Sequence, residues 1–265
     1  MNFNQLLDAV RANPEAVSVP PSWAQGRAAF GGLMAAMVYE AMRQKISDDR
    51  PVRSLAISFV APAAADVPIR FDVEVLREGK AVSTLLGRAV QDGQVVTLVQ
   101  GNFGAGRPSV VDVPALPAEE MKAVDDAAPE LPHIKGVTPE FMQHVALRWA
   151  VGGLPFSGNQ SRQMGGWVRL RGVAEEPVNE AHLLALVDAW PPSLMPFLKQ
   201  PGAGSTLTWT IEFMQPRAQL STLDWCRYCV ETEHARDGYG HAAAALRTAQ
   251  GELLALSRQT VTVFA

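Results

Sequence analysis

The chain has 265 residues, 48% of them hydrophobic and 19% charged, with a net charge of −4 and an isoelectric point near 5.8. That is enough apolar content for a sizeable core, and without a dense Lys/Arg cluster there is no basic field to hold nucleic acid. No apolar run reaches the roughly 18 residues of a membrane span, and Asp8 and Arg11 interrupt the N-terminal stretch where a signal segment would be unbroken. A cytoplasmic protein is expected, with neither nucleic acid nor membrane as partner.

In chain order, the first strong signal is FGGLMAAMVYEAMRQKI, residues 30–46, apolar on nearly every side until Glu40. That pattern predicts a helix surrounded by protein rather than one lying on a surface. Gly31 and Gly32 open it, where unpaired N–H groups and the helix dipole favour negative charge. The competing reading of these glycines is close helix-to-sheet packing that demands a small residue.

SLAISFVAP, starting at Ser54, then reads as a strand ended by Pro62. FDVEVLREGK (71–80) follows, with an acid–glycine turn at Glu78-Gly79, and STLLGRAVQDGQVVTLVQGNF adds two strands about a turn at Gly93. A stretch rich in Pro, Ala, Asp and Glu without sustained periodicity comes next and reads as a connector over residues 107–140.

Beyond it the pattern recurs. NEAHLLALVDAWPPSLMPFL (179–198) is a second helix candidate, and TWTIEFMQP repeats the I-x-F-x-x-P of the first half, with Ile211, Phe213 and Pro216 standing for Ile57, Phe59 and Pro62. CRYCVETEHARDGYG turns at Asp237-Gly238, and the last apolar stretch turns at Gly251. Cys226 and Cys229 are three apart on a predicted strand, so they face opposite sides and read as two unbridged thiols. The five histidines show no metal-ligand spacing, and no G-x-S-x-G, P-loop or G-x-G-x-x-G motif is present. The layout is a tandem repeat, residues 1–106 and 141–265, each half one helix followed by an antiparallel meander in an α+β arrangement.

FGGLMAAMVYEAM, the SFVAP strand, VEVLREGKAVSTLLGRAVQDGQVV and the terminal LSRQTVTVF resemble the double hot-dog acyl-CoA thioesterases of the thioesterase II type. TWTIEFMQP departs from the Asp-His-rich stretch of the type enzyme's close relatives, which marks a diverged branch. The resemblance implies two hot-dog repeats with sheets joined side by side and an acyl-CoA site between the two helices. It implies an Asp at the start of the second helix, a Ser/Thr ten residues before the strand-ending proline and a Gln eight residues after the last glycine turn. Those positions are Asp188, Thr206 and Gln259, which would hold and activate the water that attacks the thioester, with no cofactor and no metal. It also implies a homodimer or larger assembly.

Each residue has a plainer reading. Asp188 reads equally as a cap at a helix N-terminus, Thr206 as a β-branched strand residue among Ser205, Thr208 and Thr210, and Gln259 as an outward-facing strand residue. Trp190 reads as core or as an apolar wall beside the carboxylate. The N–H of Gly32, or of a neighbour such as Gly31, is expected to receive the thioester oxyanion. Direct attack by Asp188 through a mixed anhydride is the mechanistic alternative. The rival functions are a hydratase or dehydratase on acyl thioesters, which lacks its usual histidine here, and a non-catalytic acyl-CoA binder.

Overall fold

The computed structural model describes residues 1–46 and 50–264. Its frame is a ten-stranded antiparallel sheet with two helices laid side by side on one face. The first half supplies β3 (Val52–Phe59), β4 (Arg70–Glu78), β5 (Val82–Gln91) and β6 (Gln94–Gly104). The second supplies β7 (Val145–Val151), β8 (Gln163–Leu170), β9 (Ala203–Phe213), β10 (Cys226–Arg236), β11 (Tyr239–Thr248) and β12 (Leu253–Phe264). A separate two-residue hairpin, β1 (Ala24–Gln25) with β2 (Ala28–Ala29), precedes the first long helix.

The strand order is β4-β5-β6-β3-β9-β12-β11-β10-β8-β7. Thus β6-β3 and β12-β9 are equivalent pairs meeting back to back. At the seam Leu55 pairs with Ile211 and Ile57 with Trp209, the exchange that a twofold axis between the strands would generate. The two copies of I-x-F therefore join the halves. Asp92-Gly93 and Asp237-Gly238 turn their hairpins with positive φ at both residues, the conformation that acid–glycine pairs adopt readily.

Helix α1 (Phe3–Ala12) was not signalled as structure by the reading of the N-terminus. Asn2 and Gln5 close a capping box, and Phe3, Leu6, Leu7 and Val10 bury one face against α2. Helix α2 (Gly31–Arg43) falls within the predicted span and is buried from Gly32 to Met42. Its one acid, Glu40, is satisfied by Arg11 Nε at 2.6 Å. Gly87 and Gly101 let α2 down onto the sheet, since a Cβ at either would lie within 3 Å of Met42.

Helix α3 (Glu180–Asp188) is much shorter than the predicted 179–198. Pro191 and Pro192 stop it, because the residue before a proline is pushed out of helical conformation. Asn179 and His182 cap its N-terminus, so Asp188 does not; it is the last helical residue. This corrects the expectation of an acid at the start of the second helix.

Strands β7 and β8, which precede α3, were also not anticipated. Gly165 and Gly166 in β8 look like breakers, yet a Cβ on Gly165 would lie 2.2 Å from Tyr228 O and one on Gly166 2.0 Å from Arg148 O. The glycines permit close strand packing there. Cys226 and Cys229 are buried free thiols. Residues 119–131 are strapped to the second half: Trp167 Nε1 donates to Lys122 O at 3.0 Å, and Leu131 N to Leu147 O at 2.8 Å. Among the described residues no helix is long and apolar enough to cross a membrane.

Candidate active site

Helices α2 and α3 run so that the start of one meets the end of the other. No side chain caps the first turn of α2; the Asp188 carboxylate lies beside it, where the Gly32 backbone N–H favours the ionised form. A Cβ on Gly31 would lie 2.8 Å from Asp188 Oδ2, and one on Gly32 2.9 Å from Asp188 Cβ and 3.0 Å from Leu184 O. Two glycines are thus what lets a carboxylate rest on the amino end of the neighbouring helix. The close packing expected between helix and sheet is found only at Gly31, against Phe59; Gly32 packs helix to helix, against Leu184 and Asp188.

Asp188 sits in opposed fields. The carboxyl end of its own helix disfavours its charge, and the amino end of α2 favours it. Burial dominates and pushes its pKa from 3.8 to about 7, against hydrogen bonds from Gln259 and Gly32 that favour the ionised form. The exposure the side chain keeps opens into a cavity of about 380 Å³ whose walls come from both halves.

Gln259 stands opposite Trp209 in the β12–β9 register and shares its inward face. Its Nε2 donates to Asp188 Oδ1 at 3.0 Å. Thr206 lines the same cavity because of an irregularity: the register slips between Thr260 and Val261, so Leu207 is an extra residue opposite β12. Strict alternation back from the buried Trp209 would turn Thr206 outward; the bulge brings it in. Of the neighbouring hydroxyls, Ser205 also reaches this wall.

Trp190, two residues past Asp188, forms another part of the wall and is only 5% exposed. Gln25 and Arg27, on the β1–β2 hairpin, also line the cavity, Arg27 being exposed; their sequence context, AQGRA, carries no signal beyond a glycine turn. Met34, Phe59 and Leu207 belong to the apolar lining, with residues 60–63 beside them. All six predicted positions meet here, with Gly32 touching Asp188 from behind the wall. A larger, more open hollow of about 830 Å³ beside residues 118–122 contains none of them. Among the described residues no group of three His, Cys, Asp or Glu side chains could hold a metal ion.

Comparison with known proteins decides the family. The family described as acyl-CoA thioesterase C-terminal domain matches residues 119–263, and its N-terminal counterpart matches residues 19–104. The chain belongs to the acyl-CoA thioesterases. As a member of that family it is a thioester hydrolase. It is 25% identical over 252 residues to acyl-CoA thioesterase 2 of Haemophilus influenzae, covering 88% of this chain and 86% of that one. In fold this thioesterase is similar to a hot-dog protein of unknown function from Alicyclobacillus acidocaldarius, with TM-score 0.82, 23% identity and 94% and 92% of the two chains covered. It is also similar to acyl-CoA thioesterase II TesB2 from Mycobacterium marinum, with TM-score 0.69, 20% identity and coverage of 94% and 93%. The double hot-dog α+β architecture that the resemblance implied is therefore the fold of this chain.

Proposed function

We propose that the protein hydrolyses an acyl-CoA thioester by water activated at Asp188, with Gln259 and Thr206 as the groups that orient the water. Asp188 accepts a proton as the water oxygen bonds to the carbonyl carbon. The resulting tetrahedral oxyanion collapses, the carbon–sulfur bond breaks and the CoA thiolate leaves, taking up the proton that Asp188 had accepted. Gln259 spends its amide N–H on Asp188 Oδ1, which leaves its Oε1 free to accept from the attacking water. Holding water between two acceptors restricts it to one productive approach.

The observation carrying this reading is the 3.0 Å contact between Gln259 and Asp188, made across elements distant in sequence, inside a cavity shared by the two halves. Burial supports it further, since a base with a pKa of about 7 is matched to work at neutral pH. The oxyanion is assigned to Gly31, which is at the uncapped first turn and on the cavity wall, whereas Gly32 is not part of that wall. Such a donor contributes about 2.7–4 kcal/mol in comparable sites.

The test is thiol release from a panel of acyl-CoAs by the wild type and Asp188→Asn. The variant is expected to lose about 10²- to 10⁴-fold in kcat, the usual worth of a general base. Wild-type turnover retained in the variant removes Asp188 from this role. Label found in Asp188 after single turnover in ¹⁸O-water identifies direct attack by the carboxylate, with water then opening the anhydride at the aspartyl carbonyl.

A further inference from the structure

Among the residues that line the cavity, Arg27 of the β1–β2 hairpin is exposed, whereas Trp190 and Met34 are only 5% and 2% exposed. A thioester placed with its carbonyl beside Asp188 and its polar arm leaving past exposed Arg27 directs its acyl group to the buried part of the lining, which includes Trp190.

Behind Trp190 there is no slack. Its indole lies parallel to the Tyr228 ring at 5.2 Å and tilted against Trp149 at 5.0 Å, and neither of these is part of the cavity wall. Its Cη2 edge sits over Gly166, 3.0 Å from where a Cβ there would be. The indole thus rests on backbone and on two further rings rather than on a side chain that can swing aside. Pro191 and Pro192 fix the chain just after it. The break that ends α3 beside the carboxylate also sets this wall down two residues later.

From these contacts we infer that Trp190, backed by Tyr228 and Trp149, is an acyl-length stop that restricts the enzyme to compact acyl groups. The inference rests on the thioesterase reading of the site. The dimensions agree with it: about 380 Å³ holds roughly a dozen groups the size of a water molecule. The attacking water, the thioester and the start of the polar arm take about half, leaving room for about half a dozen acyl carbons. A fatty acyl chain of twice that length meets the indole.

The experiment measures kcat/KM on butanoyl-, hexanoyl-, decanoyl- and hexadecanoyl-CoA for the wild type, Trp190→Ala and Trp190→Leu. The leucine variant is included because it leaves a smaller hole than alanine. Thermal melts verify that each variant is folded. Affinities for the matching S-alkyl-CoA thioethers, which cannot be hydrolysed, are measured alongside. The wild type should favour butanoyl or hexanoyl over decanoyl by at least about tenfold, the scale on which pocket walls discriminate methylenes. At least one folded variant should shift that ratio toward decanoyl by about tenfold or more, and thioether affinities should follow.

A wild type that hydrolyses decanoyl-CoA as well as butanoyl-CoA overturns the inference, as do folded variants with an unmoved profile. If the wild type hydrolyses none of them, the thioesterase mechanism fails separately. The thioether affinities then decide the length stop: a wild-type preference for short chains that relaxes in the variants upholds it, and a flat profile overturns it.

Discussion

A carboxylate whose folded pKa is raised has consequences of two signs, and Asp188 carries both. Catalysis needs the ionised form, so kcat is expected to rise as pH increases through about 7 and to level off above, read from a pH–rate profile. Stability runs the other way. Between an ordinary 3.8 and about 7 the folded protein binds more protons at this site than the unfolded chain does, so this residue's contribution falls as pH rises through that window. Asp188→Asn should therefore raise the melting temperature above pH 7, by a few degrees for a penalty on the order of a few kcal/mol. The gain should vanish near pH 4; a variant no more stable than wild type at pH 8 contradicts the burial argument. Gln259 tests the coupling. Its amide favours the ionised carboxylate, so Gln259→Leu should move the rising limb to higher pH as well as lower the plateau, whereas loss of a purely structural residue would lower the plateau alone.

At the scale of elements, the site is the junction of two helix ends, and the glycines of α2 set its spacing. Ala at position 32 would press Phe30, the Asp188 stem and the Leu184 carbonyl at 2.7–3.0 Å, so Gly32→Ala should cost about 1–3 kcal/mol of stability by overpacking, measured by urea unfolding. Ala at position 31 meets the Asp188 Oδ2 tip and the Phe59 ring, so Gly31→Ala should lose activity out of proportion to its stability. Much of this frame was legible because repeats and turns are local patterns: the paired I-x-F strands, the turns at Gly93 and Asp237-Gly238 and the all-apolar α2 each follow from short stretches. The turn read at Glu78-Gly79 instead falls just after that pair, Glu78 being the last residue of β4 and Gly79 N donating to Val82 O. The positions of Asp188, Thr206 and Gln259 came from a family resemblance. What joins them is a tertiary fact. Nothing in residues 182–195 says that the end of α3 will meet Gly32, and only the bulge at Leu207 faces Thr206 inward. The end of α3 was readable from Pro191-Pro192, and the spacing of Phe3, Leu6, Leu7 and Val10 contained α1. Strands β7 and β8 were hidden because their glycines serve strand packing, a requirement invisible without the neighbouring strand.

Over the whole molecule, the site exists only while the halves are joined. Carboxylate, glutamine and threonine come from the second half, and the helix amino end that holds the carboxylate comes from the first. The β3–β9 pairing and the packing of α2 on α3 join the halves, together with the N-terminal segment, whose Trp23 and Phe30 stack on His144 and Phe141. The covalent link is not one of them. Val110, Val111, Val113 and Leu116 of the connector are 73–103% exposed, whereas the strapping to the second half begins near Glu119. Cutting the chain between residues 109 and 114 breaks no sheet pairing and uncovers no core, so it removes only the effective concentration that one chain imposes on two surfaces. A protease site inserted there and cleaved should therefore yield two fragments that co-elute in gel filtration, melt in one transition and keep thioesterase activity within about twofold of the intact chain, because a seam of this kind lies inside a single cooperative unit. Fragments that separate under native conditions, or two resolved melting steps, would mean that the connector, and not the paired strands, keeps Gly32 against Asp188.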